Sequence, residues 1–141
     1  TIELAVVNLA CERCTAGDVE KLQHMINLEQ SAIDQGDMAT ALRRSGEFHL
    51  QLAIVARNQP FVHALRGLIS QTSLIITMYS HGGGNACARD EHSLLLAAVS
   101  AGDQHRAQQQ MAHHLGHIAA GCDFTQSPQV ANLKGAFAHL S

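Results

Sequence analysis

The segment from Asp90 to Ile118 constrains the fold of this chain most strongly, because its apolar residues recur with the period of an α-helix. The pattern is interrupted at Ala101-Gly102-Asp103, which predicts two helices folded back on each other around this turn. The apolar positions that share a helical face with His92 or His114 are Leu95, Leu96 and Val99 on the first helix, and Ala107, Met111 and Ile118 on the second. We therefore expect an antiparallel helical hairpin with an apolar face on each helix.

This hairpin brings two histidines to the same height. His92 lies ten residues before Gly102, and His114 lies twelve residues after it. At a rise of about 1.5 Å per residue, both side chains lie roughly 15–18 Å from the turn. Both occupy the apolar faces, so both are expected to point into the core. Two inward imidazoles at one level predict a metal site.

Capping residues and glycines divide the first part of the chain into helices. A helical pattern is already present at Ile2, and only Thr1 precedes it as a capping residue, so the chain is expected to begin inside a longer protein. Thr15, followed by Asp18 three residues later, predicts a capping box. The helix that it starts is expected to stop near Gly36.

Three further helices are predicted outside the hairpin and the first two helices. Asp37 caps one that passes Gly46, where a kink is expected, and that ends near Asn58. The segment 60–79 begins with proline and is apolar over much of its surface, which predicts a helix at the centre of the bundle. The last is a short amphipathic helix opened by Ser127-Pro128.

Composition agrees with this all-α interpretation. The chain is 46% hydrophobic, has two prolines and no tryptophan, and shows no strand pattern, so we predict one domain over residues 1–141, an antiparallel bundle of six or seven helices. No apolar run approaches the roughly 20 residues that span a bilayer, and no signal peptide opens the chain, so a cytoplasmic protein without a membrane partner is expected. With 15% charged residues and a net charge of −3, the chain by itself is a poor nucleic-acid binder.

The four cysteines do not form a recognisable framework. Cys11 and Cys14 make a CxxC motif, but Cys87 and Cys122 stand alone, so the second pair of a zinc ribbon is missing. A thioredoxin-like motif needs a preceding strand, and the pattern here is helical. We expect buried or half-buried thiols in a reducing compartment.

Ten histidines are an unusual number for 141 residues, and most of them are expected to lie at the surface. His113 and His117 are four residues apart and have the spacing of a chelating pair. Their helical face also carries Gln109, Gln110 and Gly116, so we interpret it as solvated.

Four motifs occur in order along the chain: GEFHLQLA at 46–53, ARNQPFV at 56–62, DEHSLLLAAVSAGD at 90–103 and AQQQMAHHL at 107–115. Together they resemble the effector-binding C-terminal domain of GntR-type bacterial transcription regulators, the FadR C-terminal (FCD) family. The resemblance covers about residues 3 to 122. It implies a helical bundle with a central cavity that holds a divalent metal in many members.

The same resemblance implies a set of metal ligands. The histidines of the family's FH, EH and HL motifs match His49, His92 and His114, and two of these are the hairpin histidines found above. Three neutral imidazoles suit zinc or nickel and leave positions for water or a ligand. Ordinary core histidines are the alternative interpretation.

One position departs from the family pattern. The family's aspartate, one turn before the FH histidine, is Ser45 here. Glu47 is only two residues from His49, so it points to the opposite side of the helix and is a poor substitute. Two outcomes are open. In one, the metal stays bound by three histidines, in which case it keeps its full double charge and favours an anionic effector. In the other, the metal is lost, and the three histidines act as protonatable donors to a carboxylate. Ser45 and Thr72 are the candidate effector-binding residues.

The function that the resemblance implies is ligand sensing. A small organic acid would bind near the metal of a homodimer and alter DNA binding through a winged-helix domain that lies before this domain and outside this chain. No enzymatic activity is expected. A metal-dependent hydrolase with a three-histidine site and a metal-free dimerisation module are the alternatives.

Overall fold

The computed structural model describes residues 1–80 and 90–128, and these form six α-helices. They are α1 (Ile2–Arg13), α2 (Ala16–Asp34), α3 (Met38–Val55), α4 (Gln59–Tyr79), α5 (Glu91–Ser100) and α6 (Gln104–Ala120). The described part contains no strand, only an isolated bridge between Ser80 and Cys122. None of its helices is long and apolar enough to cross a membrane. The all-α prediction is confirmed, while the short helix predicted after Ser127-Pro128 falls almost wholly outside the described residues.

The predicted helix boundaries follow from side-chain caps. Thr15 and Asp18 form the expected capping box at the start of α2, with the Thr15 N–H donating to Asp18 at 2.9 Å. Asp37 and Asp103 accept hydrogen bonds at the starts of α3 and α6. Gly102 has φ +69°, so the turn between α5 and α6 uses a backbone conformation that glycine adopts without strain.

The core lies where α1, α3, α5 and α6 meet, with α2 closing one side. α2 packs on α3 and α5, and α1 packs on α3, α5 and α6. The largest fully buried side chain is that of Phe48, and the same hydrophobic core includes residues from other helices, among them Val6, Val7, Leu22, Ile26, Leu95, Val99 and Met111. Because connections of only a few residues join α2 to α3 and α5 to α6, the helices within each pair run antiparallel.

The prediction that the 60–79 helix is central is wrong. Of α4, only Val62 and Leu65 are buried, whereas Leu68 and Ile75 are 45% and 41% exposed. The helix packs against α3 and more sparsely against α1, so much of its apolar surface faces away from the bundle. Sequence periodicity cannot tell a helix surrounded by its own chain from one that leaves an apolar face open.

The close approach of α4 to α3 depends on Gly46. A Cβ at this position would lie 2.8 Å from Ile69 Cγ2, nearer than packed side chains come. α3 runs as one helix from Met38 to Val55 through this glycine. Gly46 therefore provides space for α4.

The capping box supplies the first testable prediction. The backbone hydrogen bond from Thr15 lowers the pKa of Asp18 more than burial raises it. A carboxyl group with a lowered folded-state pKa stabilises the fold above its unfolded pKa, near 3.8, and loses that contribution as the pH falls through the folded value. Asp18→Ala should therefore cost about 1 kcal/mol at pH 7 and progressively less below pH ~4.

Urea unfolding of the wild type and the variant between pH 7 and pH 2.5 measures this difference. Asp18→Asn, which keeps an acceptor but does not titrate, serves as the matched control. A difference between Asp18→Ala and wild type that stayed constant over this pH range would contradict the assignment.

Candidate metal centre

Three buried histidines from three helices converge on one point. His49 on α3, His92 on α5 and His114 on α6 are 5%, 2% and 3% exposed. Their Nε2 atoms lie 3.1 Å (His49–His114), 3.2 Å (His49–His92) and 3.1 Å (His92–His114) apart. The residues singled out in the sequence are thus brought together, and both hairpin histidines point inward as expected.

Carboxylates hold the opposite edges of the three rings. His92 Nδ1 lies 2.8 Å from Glu29 Oε1, and His114 Nδ1 lies 2.5 Å from Glu91 Oε2. His49 Nδ1 lies 3.3 Å from Glu3 Oε1, within ion-pair distance but without hydrogen-bond alignment. Phe48 stacks on the His92 ring with centroids 4.4 Å apart. Hydrogen bonds therefore orient the rings of His92 and His114 from behind, while Glu3 lies behind the His49 ring.

This arrangement fixes the chemistry at the centre. When Nδ1 carries the proton that a carboxylate accepts, Nε2 presents a lone pair, and three lone pairs then face one another in a buried space. A cation relieves that repulsion. Ligand atoms on one zinc ion at about 2.0–2.1 Å lie about 3.3 Å apart in a tetrahedral site, close to the spacing observed. The three histidines therefore fit a divalent metal ion of the zinc class.

The electrostatics of the rings agree with neutral ligands. Burial, together with the neighbouring His49, lowers the pKa of His92 to about 3. Burial and the two other histidines lower the pKa of His114 to about 4. Both rings are therefore unprotonated at neutral pH, the state in which imidazole binds metal.

Ser45 has a contact that the sequence did not indicate. Its hydroxyl acts on Glu29, the carboxylate behind His92, and helps to lower the pKa of that group. Burial raises the pKa of Glu29 to about 7, against the lowering effects of His49, His114 and Ser45. Ser45 thus lies one turn before His49 but stabilises the charge of a glutamate from α2.

A cavity of about 320 Å³ adjoins the His49 side of the cluster. Ser45 and Thr72, the two candidate effector-binding residues, both line it with His49. Most of its wall is aliphatic and comes from α3, α4 and α6, including Leu42, Leu65, Leu68, Ile69, Leu115 and Ile118. Such a lining with a few polar groups is typical of a small-molecule site.

A second group of ligand-type side chains lies behind His114. Glu91 Oε1 contacts His117 Nδ1 and lies 3.7 Å from His113 Nε2. The face of α6 carrying His113 and His117 was interpreted as solvated, and the side chain of His113 is indeed 61% exposed. The buried carboxylate facing the pair was not anticipated.

The glutamates behind the rings were the residues that the sequence did not reveal. Glu3 and Glu29 lie on α1 and α2, far in sequence from the histidines that they contact, and no spacing rule connects them. Glu91 projects about 100° away from its neighbour His92 around the helix, so its position in the sequence does not connect it with the histidine site. That direction is the one that carries it to His114 on α6.

The CxxC cysteines lie at the end of α1, away from the histidine cluster. Cys11, Cys14 and Cys122 are all free thiols of intermediate burial. Burial raises the pKa of Cys11 to about 11, assisted by Asp103 and other neighbours, and burial also raises that of Cys14. Redox-active CxxC thiols have lowered pKa values, so this pair lacks their activation.

This environment makes Cys11 slow to react. At pH 8, a thiol with a pKa near 11 has about a hundredfold less thiolate than a free cysteine, so we expect alkylation by iodoacetamide to slow by about that factor. Peptide mass spectrometry over time measures the rate in native protein, with urea-unfolded protein as the control. Native labelling of Cys11 as fast as in urea would contradict the prediction.

The family model for the FCD domain matches residues 1–117. Among solved structures, the chain is similar to E. coli McbR/YncC, with a TM-score of 0.72 and 21% sequence identity, over 84% of this chain and 61% of that one. At that identity the likeness establishes the fold. No match was found among curated proteins.

Proposed function

We propose that this chain, which belongs to the FCD domain family, is a ligand-sensing regulatory domain that binds a small carboxylate beside a divalent metal held by His49, His92 and His114. The family match confirms the resemblance indicated by the sequence motifs. The chain spans about 61% of the length of McbR/YncC. In our proposal, DNA binding belongs to a winged-helix domain that precedes this one in a longer regulator.

The observation that carries the proposal is the convergence of three Nε2 atoms 3.1–3.2 Å apart, with the rings of His92 and His114 held from behind by Glu29 and Glu91. Imidazole ligands of metals commonly donate their other N–H to a carboxylate, which fixes the tautomer and raises ligand basicity. Three neutral nitrogen ligands favour zinc or nickel and leave coordination positions for water and an effector. The alternative with protonated histidines is disfavoured, because burial lowers the pKa of His92 and of His114.

The cavity supports a small organic acid as effector. The cavity reaches His49. Ser45 stands where the family has a charged aspartate, so no carboxylate at this position would neutralise the double charge of a metal beside the cavity. Glu3 is the carboxylate among the lining residues, and its Oε1 is turned to His49 Nδ1. Glu29 and Glu91 lie behind the rings. An anion is therefore the complementary ligand on the open side.

The exposed face of α4 supports a homodimer. Leu68, Leu74 and Ile75 leave between 36% and 45% of their surfaces exposed on one helix, more apolar surface than a solvated helix usually presents. Leu68 also lines the cavity. A ligand that shifted α4 would therefore alter the position of a second copy packed on this face, and with it the spacing of two DNA-binding domains.

The hydrolase alternative is less well supported. A hydrolytic zinc site needs a carboxylate base beside the bound water. Glu29 and Glu91 contact the Nδ1 edges of their rings, opposite the side on which the metal and its water would lie.

Metal binding is the first requirement of the proposal. His92→Ala in tag-free protein should weaken the tightest zinc-binding site by at least about a hundredfold, because it removes a ligand. Glu29→Gln keeps every ligand and should cost about 10–100-fold, as loss of a charged partner behind a metal ligand does. Competition with a chelating dye measures both.

His105→Ala is the matched control, since His105 is an exposed histidine on α6 outside both histidine clusters. Circular dichroism establishes that each variant is folded. Zinc affinity that is the same in His92→Ala, Glu29→Gln and His105→Ala would refute the metal centre.

The sensing step has its own test. In the longer regulator, a small carboxylate should change operator affinity, and Ser45→Asp should weaken carboxylate binding by about tenfold or more, because it adds negative charge beside the metal. Ser45→Asn has nearly the same size without the charge and should lose less. Titration calorimetry for the acid and fluorescence anisotropy for the operator give the two affinities.

Two outcomes would contradict this part of the proposal. One is an operator affinity that stays the same with and without a bound carboxylate. The other is equal carboxylate affinity in Ser45→Asp and Ser45→Asn.

A further inference from the structure

Glu91, His113 and His117 form a second cluster of potential metal ligands, distinct from the three buried histidines. Their ligand atoms all lie within 4.8 Å of one another. His113 and His117 are one helical turn apart on α6, so both rings lie on the same face, with centroids 4.5 Å apart. Glu91 comes from the first turn of α5, the helix packed against α6.

The carboxylate is oriented before any ligand arrives. The Glu91 side chain is only 5% exposed, and its Oε2 is fixed by His114 Nδ1 at 2.5 Å. This contact directs Oε1 toward His117 Nδ1 and His113 Nε2.

Two histidines four residues apart with a carboxylate from another segment constitute a recurring zinc donor set. The pair provides two nitrogen donors, and Glu91 provides charge compensation. The side chains of His113 and His117 are 61% and 38% exposed, so water has access to the remaining coordination positions. The cluster therefore has the composition of an open site rather than a closed structural one.

We propose that Glu91, His113 and His117 bind a second divalent cation of the zinc or nickel class, at the surface of the α5–α6 hairpin. This site is separate from the three-histidine centre, because it uses other nitrogen atoms and opens to solvent. It binds more weakly than the buried centre, since it supplies two nitrogens and one oxygen and remains hydrated.

The experiment is zinc titration of tag-free protein by calorimetry, with the bound ion counted by mass spectrometry under native conditions. Wild type should bind two zinc ions per chain, one tight and one weaker by about tenfold or more. His113→Asn/His117→Asn should lose the weaker ion and keep the tight one. His49→Ala should lose the tight ion and keep the weaker one, so failure of either site is seen separately.

The double variant changes partly exposed side chains and is expected to fold, which circular dichroism verifies. His63→Asn/His105→Asn removes two exposed histidines outside the cluster and should leave both ions in place. The proposal is overturned if wild type binds no ion that His113→Asn/His117→Asn loses and His49→Ala keeps, or if the two double variants lose the weaker ion equally, which would identify non-specific surface binding.

Discussion

The packing of this domain is organised around three buried imidazoles that converge from three helices. Where each Nδ1 carries the ring proton, three Nε2 lone pairs 3.1–3.2 Å apart repel one another unless a cation lies between them, and this arrangement is buried in an otherwise aliphatic core. A carboxylate from a different helix lies behind each ring, and Glu29 and Glu91 hydrogen-bond to theirs, so α1, α2 and α5 all contribute to one centre. The fold and the candidate metal centre are therefore parts of one arrangement.

The sequence predicted the elements of this arrangement more fully than their contacts. Thr15 with Asp18, Asp37 and Gly102 marked helix ends correctly, because capping and turn formation are local interactions. The inward positions of His92 and His114 followed from helical periodicity and the length of the turn. His49 came only from the family resemblance, since nothing local relates α3 to the hairpin. Its role as a ligand stays a prediction.

The side-chain contacts between helices could not be predicted, because they depend on how each helix is rotated about its axis relative to its neighbours. Glu3 and Glu29 reach the imidazoles from other helices, and no spacing within either helix indicates a partner many residues away. The exposed apolar face of α4 was predicted to be central for a similar reason. Apolar residues indicate that a helix face is buried, but not whether the same chain or another molecule buries it. A second copy of the chain, as proposed, would bury this face.

The position of Glu91 links two clusters through one carboxylate. Oε2 accepts from His114, which raises the basicity of a ligand in the buried centre, while Oε1 faces His113 and His117. A cation that drew charge toward Oε1 would weaken the hydrogen bond at Oε2, and with it the donor strength of His114. Such coupling acts equally in both directions, since a change in affinity at one site requires the same change at the other. With both clusters loaded as proposed, this glutamate would couple the buried centre to the ion bound at the surface of the hairpin.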